Sequence, residues 1–192
     1  MNCKLISREK SLQLPSAVKH ACHAMLYAPS DEKLFSHIPV KYAVLMQMRF
    51  DGQLGFPGGF VDLSDRTLEE GLKRELSEEL DYTLDFAESD HMYCHIWEEP
   101  IHLVTHFYTK RLTLAELRAV EAAAVQGKEF GLETMGLVRV PLFFLHDGKG
   151  GLPSFLCNNF IGNARSQLVD ALKSLGIVKE EQLKSALKSS SR

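Results

Sequence analysis

The chain has 192 residues, and its 22 Lys and Arg against 25 Asp and Glu give a net charge of −3. At about 150 residues per domain, this length predicts a single domain over residues 1–192, which is long enough to bury a large core. A content of 45% hydrophobic and 24% charged residues excludes a disordered chain. No apolar run reaches the roughly 18 residues that a membrane span needs, so we expect no membrane association.

The N-terminus and the cysteines both favour a reducing compartment. The first residues contain no apolar core of about 7 to 15 residues of the secretory kind, so we expect a cytosolic or nuclear protein. The cysteines are scattered and form no CxxC pair, as is typical of reduced thiols; they are Cys3, Cys22, Cys94 and Cys157.

Strand and helix patterns follow one another along the chain. Alternating apolar stretches predict strands over residues 20–27, 42–50, 54–56, 102–110 and 135–140, with a hairpin turn at Asp51-Gly52. Helical patterns cover residues 67–80, 113–125 and 163–175, and a shorter one begins at Lys179. This interleaving predicts an α/β fold with a mixed sheet covered by helices, a core over about residues 18–176 and a short C-terminal helical tail over 177–192.

The negative charge of the chain is concentrated in residues 67–80. This segment holds five glutamates and two basic residues, so the remainder of the chain is neutral. Thr67 and Glu70 have the spacing of a capping box. Leucines recur every fourth residue and predict one apolar stripe, at Leu68, Leu72, Leu76 and Leu80. Three glutamates at spacings of three and four share a neighbouring face, namely Glu75, Glu78 and Glu79.

These glutamates indicate a metal site. Like charges at such spacings destabilise a helix by roughly 0.2 to 0.5 kcal/mol per pair, and a divalent cation removes that repulsion. Carboxylate oxygens suit hard ions such as Mg²⁺ or Mn²⁺. The alternative is a solvated acidic face compensated by Lys73 and Arg74. The preceding Gly58-Gly59 pair can approach a ligand closely, which favours a site for metal and phosphate.

The same residues resemble the Nudix box of diphosphate hydrolases, G-x5-E-x7-R-E-U-x-E-E-x-G-U, where U is a bulky aliphatic residue. The second half matches at every position in Arg74-Glu75-Leu76-Ser77-Glu78-Glu79. The first half has one residue too many between Gly59 and Arg74, so that Arg66 stands where the first Glu is expected. Glu69 or Glu70 is the expected substitute for that Glu, and Asp81-Tyr82 replaces the final Gly-aliphatic pair.

Stretches outside the box resemble one branch of the Nudix family, whose members remove caps from small nucleolar RNA and hydrolyse inosine diphosphate. They are HACHAMLYAP, LMQMRFDGQLGFPGGFVD, HFYTKRLTL, GLVRVPL and FIGNARSQL, and the resemblance runs from about residue 20 to 175. It implies the Nudix α/β/α sandwich, a homodimer, and a protein of the nucleolus and nucleoplasm with some cytoplasmic presence. The implied substrates are capped RNA, both small nucleolar RNA and mRNA, and purine nucleoside diphosphates.

The resemblance also assigns roles to residues. Glu75 and Glu79 are expected to bind Mg²⁺ or Mn²⁺, with Co²⁺ as a further candidate, while Glu78 assists and the Gly58 carbonyl completes the coordination. Such ions polarise phosphates and lower the pKa of a bound water. Glu133 is the candidate general base and a further metal-linked carboxylate; the alternative is an ordinary exposed loop residue.

Five residues are candidates for substrate binding. Arg49, at the end of a predicted strand, is placed to clamp a phosphate in two hydrogen bonds, or else to pair with Asp51. Phe56 offers a face for base stacking, with a core aromatic as the equal alternative. His23 and His95 are base or phosphate contacts, and Gln167 reads a purine edge; these three assignments rest on the resemblance.

Zinc is not expected at His20-Ala21-Cys22-His23. On a strand, His20 and Cys22 face opposite to His23, and no second ligand pair has suitable spacing.

Three functions compete. The leading one is a metal-dependent diphosphatase acting on capped RNA and purine diphosphates. A catalytically inactive RNA-binding or scaffold protein on the same fold, like the relative syndesmos, is the alternative from another class, and ADP-ribose hydrolysis is a third possibility. The pI near 6.2 leaves open whether RNA is held by a local basic patch or mainly by its cap nucleotide.

Overall fold

An eight-stranded mixed sheet lies at the centre of the structure, a computed structural model that describes residues 3–98 and 102–190. The strands are β1 (Cys3–Ile6), β2 (Lys19–Pro29), β3 (Lys33–Leu34), β4 (Ile38–Pro39), β5 (Tyr42–Arg49), β6 (Leu54–Gly55), β7 (Gly58–Phe60), β8 (His91–Trp97), β9 (Leu103–Arg111) and β10 (Thr134–Arg139). The helices are α1 (Arg8–Leu12), α2 (Leu68–Leu80), α3 (Leu114–Ala123), α4 (Leu152–Phe155), α5 (Ala164–Ser174) and α6 (Glu180–Ser190).

The main sheet has the order β1-β8-β9-β2-β5-β10, with β6 paired to β5 and β7 paired to β2. The strands β2 and β9 are parallel, and the other pairs are antiparallel. The short strands β3 and β4 form a separate hairpin.

Helices cover both faces of the sheet, so the fold has three layers. On one face α2 and α3 bury a core cluster that includes Cys22, Leu26 and Leu76. On the other face α4, α5 and α6 bury a cluster that includes Met25 and Phe107. Successive residues of β2 point to opposite faces of the sheet. Because helices bury both faces, this central strand is apolar along most of its length.

The sheet forks beside β2, and the fork positions the site. One edge of β2 pairs with β7 through residues 21–23 and with β5 through residues 27–29. Between these two stretches the amide of Ala24 donates to the carbonyl of Pro57, which lies just before β7. The strands β5 and β7 therefore diverge from a common neighbour, and side chains of α2 reach the gap between them.

The predicted elements are confirmed, with ends shifted by at most two residues. The helix α2 begins after Thr67, whose hydroxyl accepts from the Glu70 amide at 3.1 Å, as its capping pattern predicts. The elements that were not predicted are β1, α1, β3, β4, β7, β8 and α4.

Both ends of the chain join the fold more closely than the predicted core over residues 18–176 suggests. The strand β1 pairs with β8 at the sheet edge, and Leu183 and Ala186 of α6 are buried in the second core cluster. Residues 191 and 192 of the predicted tail lie outside the described residues. None of the helices in the described ranges combines the length and hydropathy that crossing a membrane requires.

Candidate active site

The glutamates predicted to bind metal lie on the last two turns of α2. The four leucines of this helix are buried against the sheet, so its orientation is fixed. Glu75, Glu78 and Glu79 lie beside that stripe, and they differ in exposure. Glu79 is only 3% exposed, whereas the other two are partly exposed.

Glu79 spans the fork in the sheet. One carboxylate oxygen accepts from the side-chain amide of Gln47 on β5 at 3.0 Å, and the other accepts from the backbone N–H of Gly58 on β7 at 2.6 Å. Gln47 is itself held by the hydroxyl of Thr134 on β10, at 3.0 Å. Burial raises the pKa of Glu79 from 4.5 to about 7, although both hydrogen bonds favour the ionised form.

The two glycines before α2 are both crowded where a Cβ would lie, by backbone at Gly58 and by a side chain at Gly59. A Cβ on Gly58 would overlap the carbonyl oxygen of Cys22, and its φ of +125° strains any other residue. A Cβ on Gly59 would overlap a carboxylate oxygen of Glu75. Burial raises the pKa of Glu75, opposed by its hydrogen bond from Arg74, and the charges of Glu129 and Glu78 raise it further.

Arg74 is anchored by a residue that the sequence pattern did not identify. Its guanidinium donates to both carboxylate oxygens of Asp65, at 3.2 and 2.9 Å, and to the carbonyl of Phe60 at 2.9 Å. It also donates to Glu75 at 2.8 Å. The hydrogen bonds to Asp65 and Glu75 raise the pKa of Arg74, so it holds the β7–α2 connection as a permanent cation.

Glu69 and Glu70, the expected substitutes for the first Glu of the box, have partners other than Arg74. Glu70 forms an ion pair with Arg66 at 2.7 Å, and Glu69 pairs with Arg8 at 2.9 Å on the side facing α1. Because the extra residue precedes α2, Asp65 rather than residue 66 lies beside Arg74.

Asp81 occupies the position of the final glycine of the box, and its backbone conformation shows why the box has a glycine there. It caps α2 in the left-handed conformation, with φ +49° and ψ +34°, and its N–H donates to the carbonyl of Ser77. Glycine is favoured in that conformation, and Asp is among the side chains that tolerate it best.

A loop before β10 adds a fourth carboxylate to the site. Gly127 packs directly on the backbone of Glu79, where a Cβ would overlap its carbonyl oxygen. This contact holds the loop beside the end of α2, and the Glu129 amide donates to the Glu78 carbonyl. Burial raises the pKa of Glu129, and the charges of Glu133 and Glu78 add to that rise.

Glu129 was missed because no motif distinguishes it from Glu133 four residues later. Glu129 raises the pKa of both Glu75 and Glu79, which identifies it as part of the same electrostatic cluster. Glu133 is exposed, directly precedes β10, and has its own effect on Glu129. Its role as general base stays a prediction.

The predicted phosphate contacts meet beside the fork. His23 lies opposite Gly58 in the register of β2 and β7, and Arg49 ends β5. Burial and the charge of Arg49 lower the pKa of His23 to about 4, so the imidazole is neutral near pH 7. Arg49 is held by Asp51 at 3.2 Å and lies over the ring of Phe50. A phosphate would thus compete with Asp51 for the guanidinium.

A row of aromatic rings lies on the face of the sheet that α4, α5 and α6 cover. Phe56 is 3% exposed and packs on Phe107 at 4.9 Å, so in this conformation it is a core aromatic with no free face for a base. Phe107 in turn packs on Tyr93, and Tyr93 meets His95 edge-on at 5.3 Å.

The predicted purine-reading residues flank this row. His95 lies 3.4 Å from the Asn163 amide, and burial lowers its pKa. Gln167 is 4% exposed on α5. Among the described residues, the Tyr93 hydroxyl is buried without a hydrogen-bond partner, which no sequence pattern indicated.

Comparison with known proteins finds a matching family and similar relatives. A family model described as "Nudt16-like: U8 snoRNA-decapping enzyme-like" matches residues 20–178. The U8 snoRNA-decapping enzyme of Xenopus laevis is 57% identical over 190 residues, covering 97% of this chain and 89% of that protein. The Tudor-interacting repair regulator protein of Mus musculus is 49% identical over 186 residues, covering 97% of this chain and 88% of that protein.

The fold is likewise shared with a solved Nudix domain. The NUDIX domain of Shewanella oneidensis NrtR, complexed with ADP ribose, has a TM-score of 0.51 at 17% identity, covering 88% of this chain and 100% of that domain. This likeness confirms the predicted Nudix α/β fold, and at that identity it concerns the fold alone. The chain belongs to the Nudt16-like, U8 snoRNA-decapping enzyme-like family and is a Nudix hydrolase that acts on phosphoanhydride bonds.

Proposed function

We propose that this protein removes the cap from RNA by hydrolysing a phosphoanhydride bond, with small nucleolar RNA as the preferred class of substrate. The observation that carries the proposal is the buried carboxylate of Glu79, held across the fork by Gln47 and Gly58 beside two further glutamates of α2. The names of the decapping relatives supply the substrate.

The residues at the fork fit a divalent cation. Burying Glu79 beside Glu75 and Glu129 is unfavourable without a nearby positive charge, as the raised pKa values of all three indicate. Glu75, Glu78 and Glu79 would hold Mg²⁺ or Mn²⁺, with the Gly58 carbonyl and Glu133 as further ligands. A bound ion of this kind polarises the anhydride phosphates and lowers the pKa of a coordinated water.

The surrounding side chains orient the reactants. Arg74 fixes the carboxylate of Glu75, and Asp65 fixes Arg74, so one ligand is preorganised before any ion binds. Arg49 binds a phosphate of the substrate once its guanidinium has left Asp51. The neutral imidazole of His23 donates or accepts a hydrogen bond beside that phosphate. Glu133 accepts the proton of the attacking water, and Glu129 supports it electrostatically.

RNA recognition on this proposal rests mainly on the cap nucleotide. Two of the N-terminal basic residues form ion pairs within the protein, since Lys4 pairs with Glu98 and Arg8 pairs with Glu69. Binding should therefore depend only weakly on salt, as for roughly one or two phosphate contacts. His95 and Gln167 read the purine, which extends the proposed activity to inosine diphosphate. A homodimer located in the nucleolus and nucleoplasm, with some cytoplasmic protein, completes the proposal.

The test measures hydrolysis as the release of inorganic phosphate from inosine diphosphate, of AMP from ADP-ribose and of the cap nucleotide from a capped RNA, with and without Mg²⁺ or Mn²⁺. We expect metal-dependent release by the wild type and a loss of at least 100-fold in Glu79→Gln, in the range seen when a charge-stabilising group is removed. Glu181→Gln, which changes an exposed glutamate of α6, is the matched control. Equal, negligible release by wild type and Glu79→Gln would favour the catalytically inactive alternative, and faster release from ADP-ribose would reassign the substrate.

A further inference from the structure

A second cluster of metal-binding side chains lies on the face of the sheet that α2 covers. His91, Cys94 and His106 each offer a ligand atom, and these atoms all lie within 4.8 Å of one another. Cys94 on β8 and His106 on β9 are direct cross-strand partners, so their side chains share one face.

A β-bulge brings the third residue to the same face. In a regular strand His91 and Cys94, three residues apart, would point to opposite faces. The register of β8 against β9 shifts between His91 and Tyr93, so His91 pairs with Tyr108, two residues after His106. The extra residue, Met92, thereby turns His91 towards Cys94 and His106.

The spacing of the nitrogen ligands fits a tetrahedral ion. His91 Nε2 and His106 Nδ1 are 3.2 Å apart. Two ligands at the usual Zn–N distance of about 2.0 to 2.1 Å, at tetrahedral angles, lie about 3.3 Å apart. The pair of imidazoles can therefore accept an ion with little movement.

His20 provides an outer partner for the cluster. Its Nδ1 lies 2.9 Å from His106 Nε2, and the rings stack at 5.2 Å. When His106 Nε2 donates its proton to His20, the lone pair of His106 Nδ1 points at the cluster. Metal-ligating histidines usually have such a partner on their second nitrogen.

Burial leaves the two imidazoles, but not the thiol, in the protonation state that binds a metal. Burial is the main cause that lowers the pKa of His91 to about 4 and of His106 to about 3, so both rings are neutral near pH 7. Burial raises the pKa of the Cys94 thiol, and the nearby charge of Arg8 opposes that rise. The charge of Arg8 is itself balanced by Glu69 at 2.9 Å and Glu88 at 3.3 Å.

We propose that His91, Cys94 and His106 form a zinc site that is separate from the glutamates of the hydrolase site. Two imidazoles and one thiolate select Zn²⁺, whereas Mg²⁺ and Mn²⁺ prefer the oxygens at the fork. Binding forms one Zn–S and two Zn–N bonds and releases the Cys94 thiol proton to solvent, with no change of oxidation state. A water molecule fills the fourth position.

The two sites lie at opposite ends of α2. Tyr108, the neighbour of His91, donates to Glu69 in the first turn of the helix at 2.8 Å. Glu79 follows ten residues later, or about 15 Å along the helix axis. The zinc ion ties the bulge of β8 to β9. The ion enters past His91, because this ligand is partly exposed whereas Cys94 and His106 are buried.

The experiment titrates metal-free protein with Co²⁺ and then displaces it with Zn²⁺ in competition with a coloured chelator. We expect a thiolate-to-cobalt charge-transfer band in the near ultraviolet and one Zn²⁺ bound per chain at this site. Both persist in Glu79→Gln and in Cys157→Ser, which removes an exposed cysteine outside the cluster. The band disappears in Cys94→Ser, and His20→Phe weakens Zn²⁺ binding by 10- to 100-fold.

A second variant guards against loss of structure. His91→Phe keeps the edge-on ring contact with Tyr108 but lacks the nitrogen ligand, and its circular dichroism should match the wild type. We expect its Zn²⁺ affinity to fall at least 100-fold. The proposal is overturned if the cobalt spectrum of the wild type lacks the charge-transfer band, or if wild type, Cys94→Ser and His91→Phe bind Zn²⁺ equally.

Discussion

Replacing Glu79 with Gln should make the metal-free protein more stable, although it lowers the activity at least 100-fold. The carboxyl has a pKa of about 7 in the folded protein against 4.5 in an unfolded chain, because burial disfavours its ionised form. The folded state therefore binds the proton more tightly than the unfolded state. The stability that this proton provides is complete below pH 4.5 and is lost as the pH rises towards 7 and beyond.

The magnitude follows from the difference between the two pKa values. Ionising Glu79 in the folded state removes about 3 kcal/mol of unfolding free energy. The neutral amide introduced by Glu79→Gln avoids that loss, but it cannot accept from both Gln47 and Gly58, and the missing hydrogen bond offsets about 1 kcal/mol. We expect Glu79→Gln to be more stable than the wild type by about 2 kcal/mol at pH 8 and to differ by less than about 1 kcal/mol at pH 5.

Urea unfolding in the presence of EDTA, from pH 5 to pH 8, measures this difference. The variant Glu181→Gln controls for the loss of one negative charge, and its difference from wild type should not change with pH. Added Mg²⁺ should stabilise the wild type at pH 8 and leave Glu79→Gln unchanged. A Glu79→Gln variant that is less stable at pH 8, or a difference that does not vary with pH, would refute the reasoning from burial.

Three further substitutions test the structure around the site. Asp81→Gly should raise the unfolding free energy by roughly 0.5 to 1 kcal/mol, since glycine suits the left-handed cap; an unchanged urea midpoint would contradict this. Gly59→Ala should lower kcat at least tenfold by displacing the Glu75 carboxylate, with little change in thermal midpoint because only the end of a flexible side chain must move. Tyr93→Phe should stabilise the protein by about 1 kcal/mol because it removes a buried hydroxyl without a partner, and a lower midpoint would reveal a hidden hydrogen bond.

The sequence predicts α2 well because its signals are local. The capping pair Thr67 and Glu70, the leucine stripe and the glutamate spacing all lie within one helix. The strand β8 was missed because its bulge breaks the alternation by which strands are recognised, so that HMYCHIW reads as neither strand nor helix. The zinc ligands were missed for the same reason, since His91 and Cys94 share a face only through that bulge.

The sequence predicts less well the roles of residues whose contacts are far away along the chain. Phe56 was an equal choice between core and substrate pocket, and only the packing of Phe107 against it decides for the core in this conformation. Glu129 joins the glutamates of α2 because Gly127 lets its loop pack on the helix backbone. Neither contact leaves a pattern in the local sequence.

Both departures from the Nudix box are accommodated by aspartates, and neither alters the glutamates that face the fork. The extra residue before α2 shifts the first acidic position, and Asp65 meets Arg74 with two hydrogen bonds from the connecting loop. At the other end, Asp81 adopts the left-handed cap that the pattern assigns to glycine. The box therefore requires two structural roles, an acidic anchor for the arginine and a sharp end of the helix after the last glutamate. It constrains the identity and position of the residues that fill these roles less tightly. Since the anchor and the stop are both present, α2 holds Glu75, Glu78 and Glu79 in one orientation despite the changed spacing.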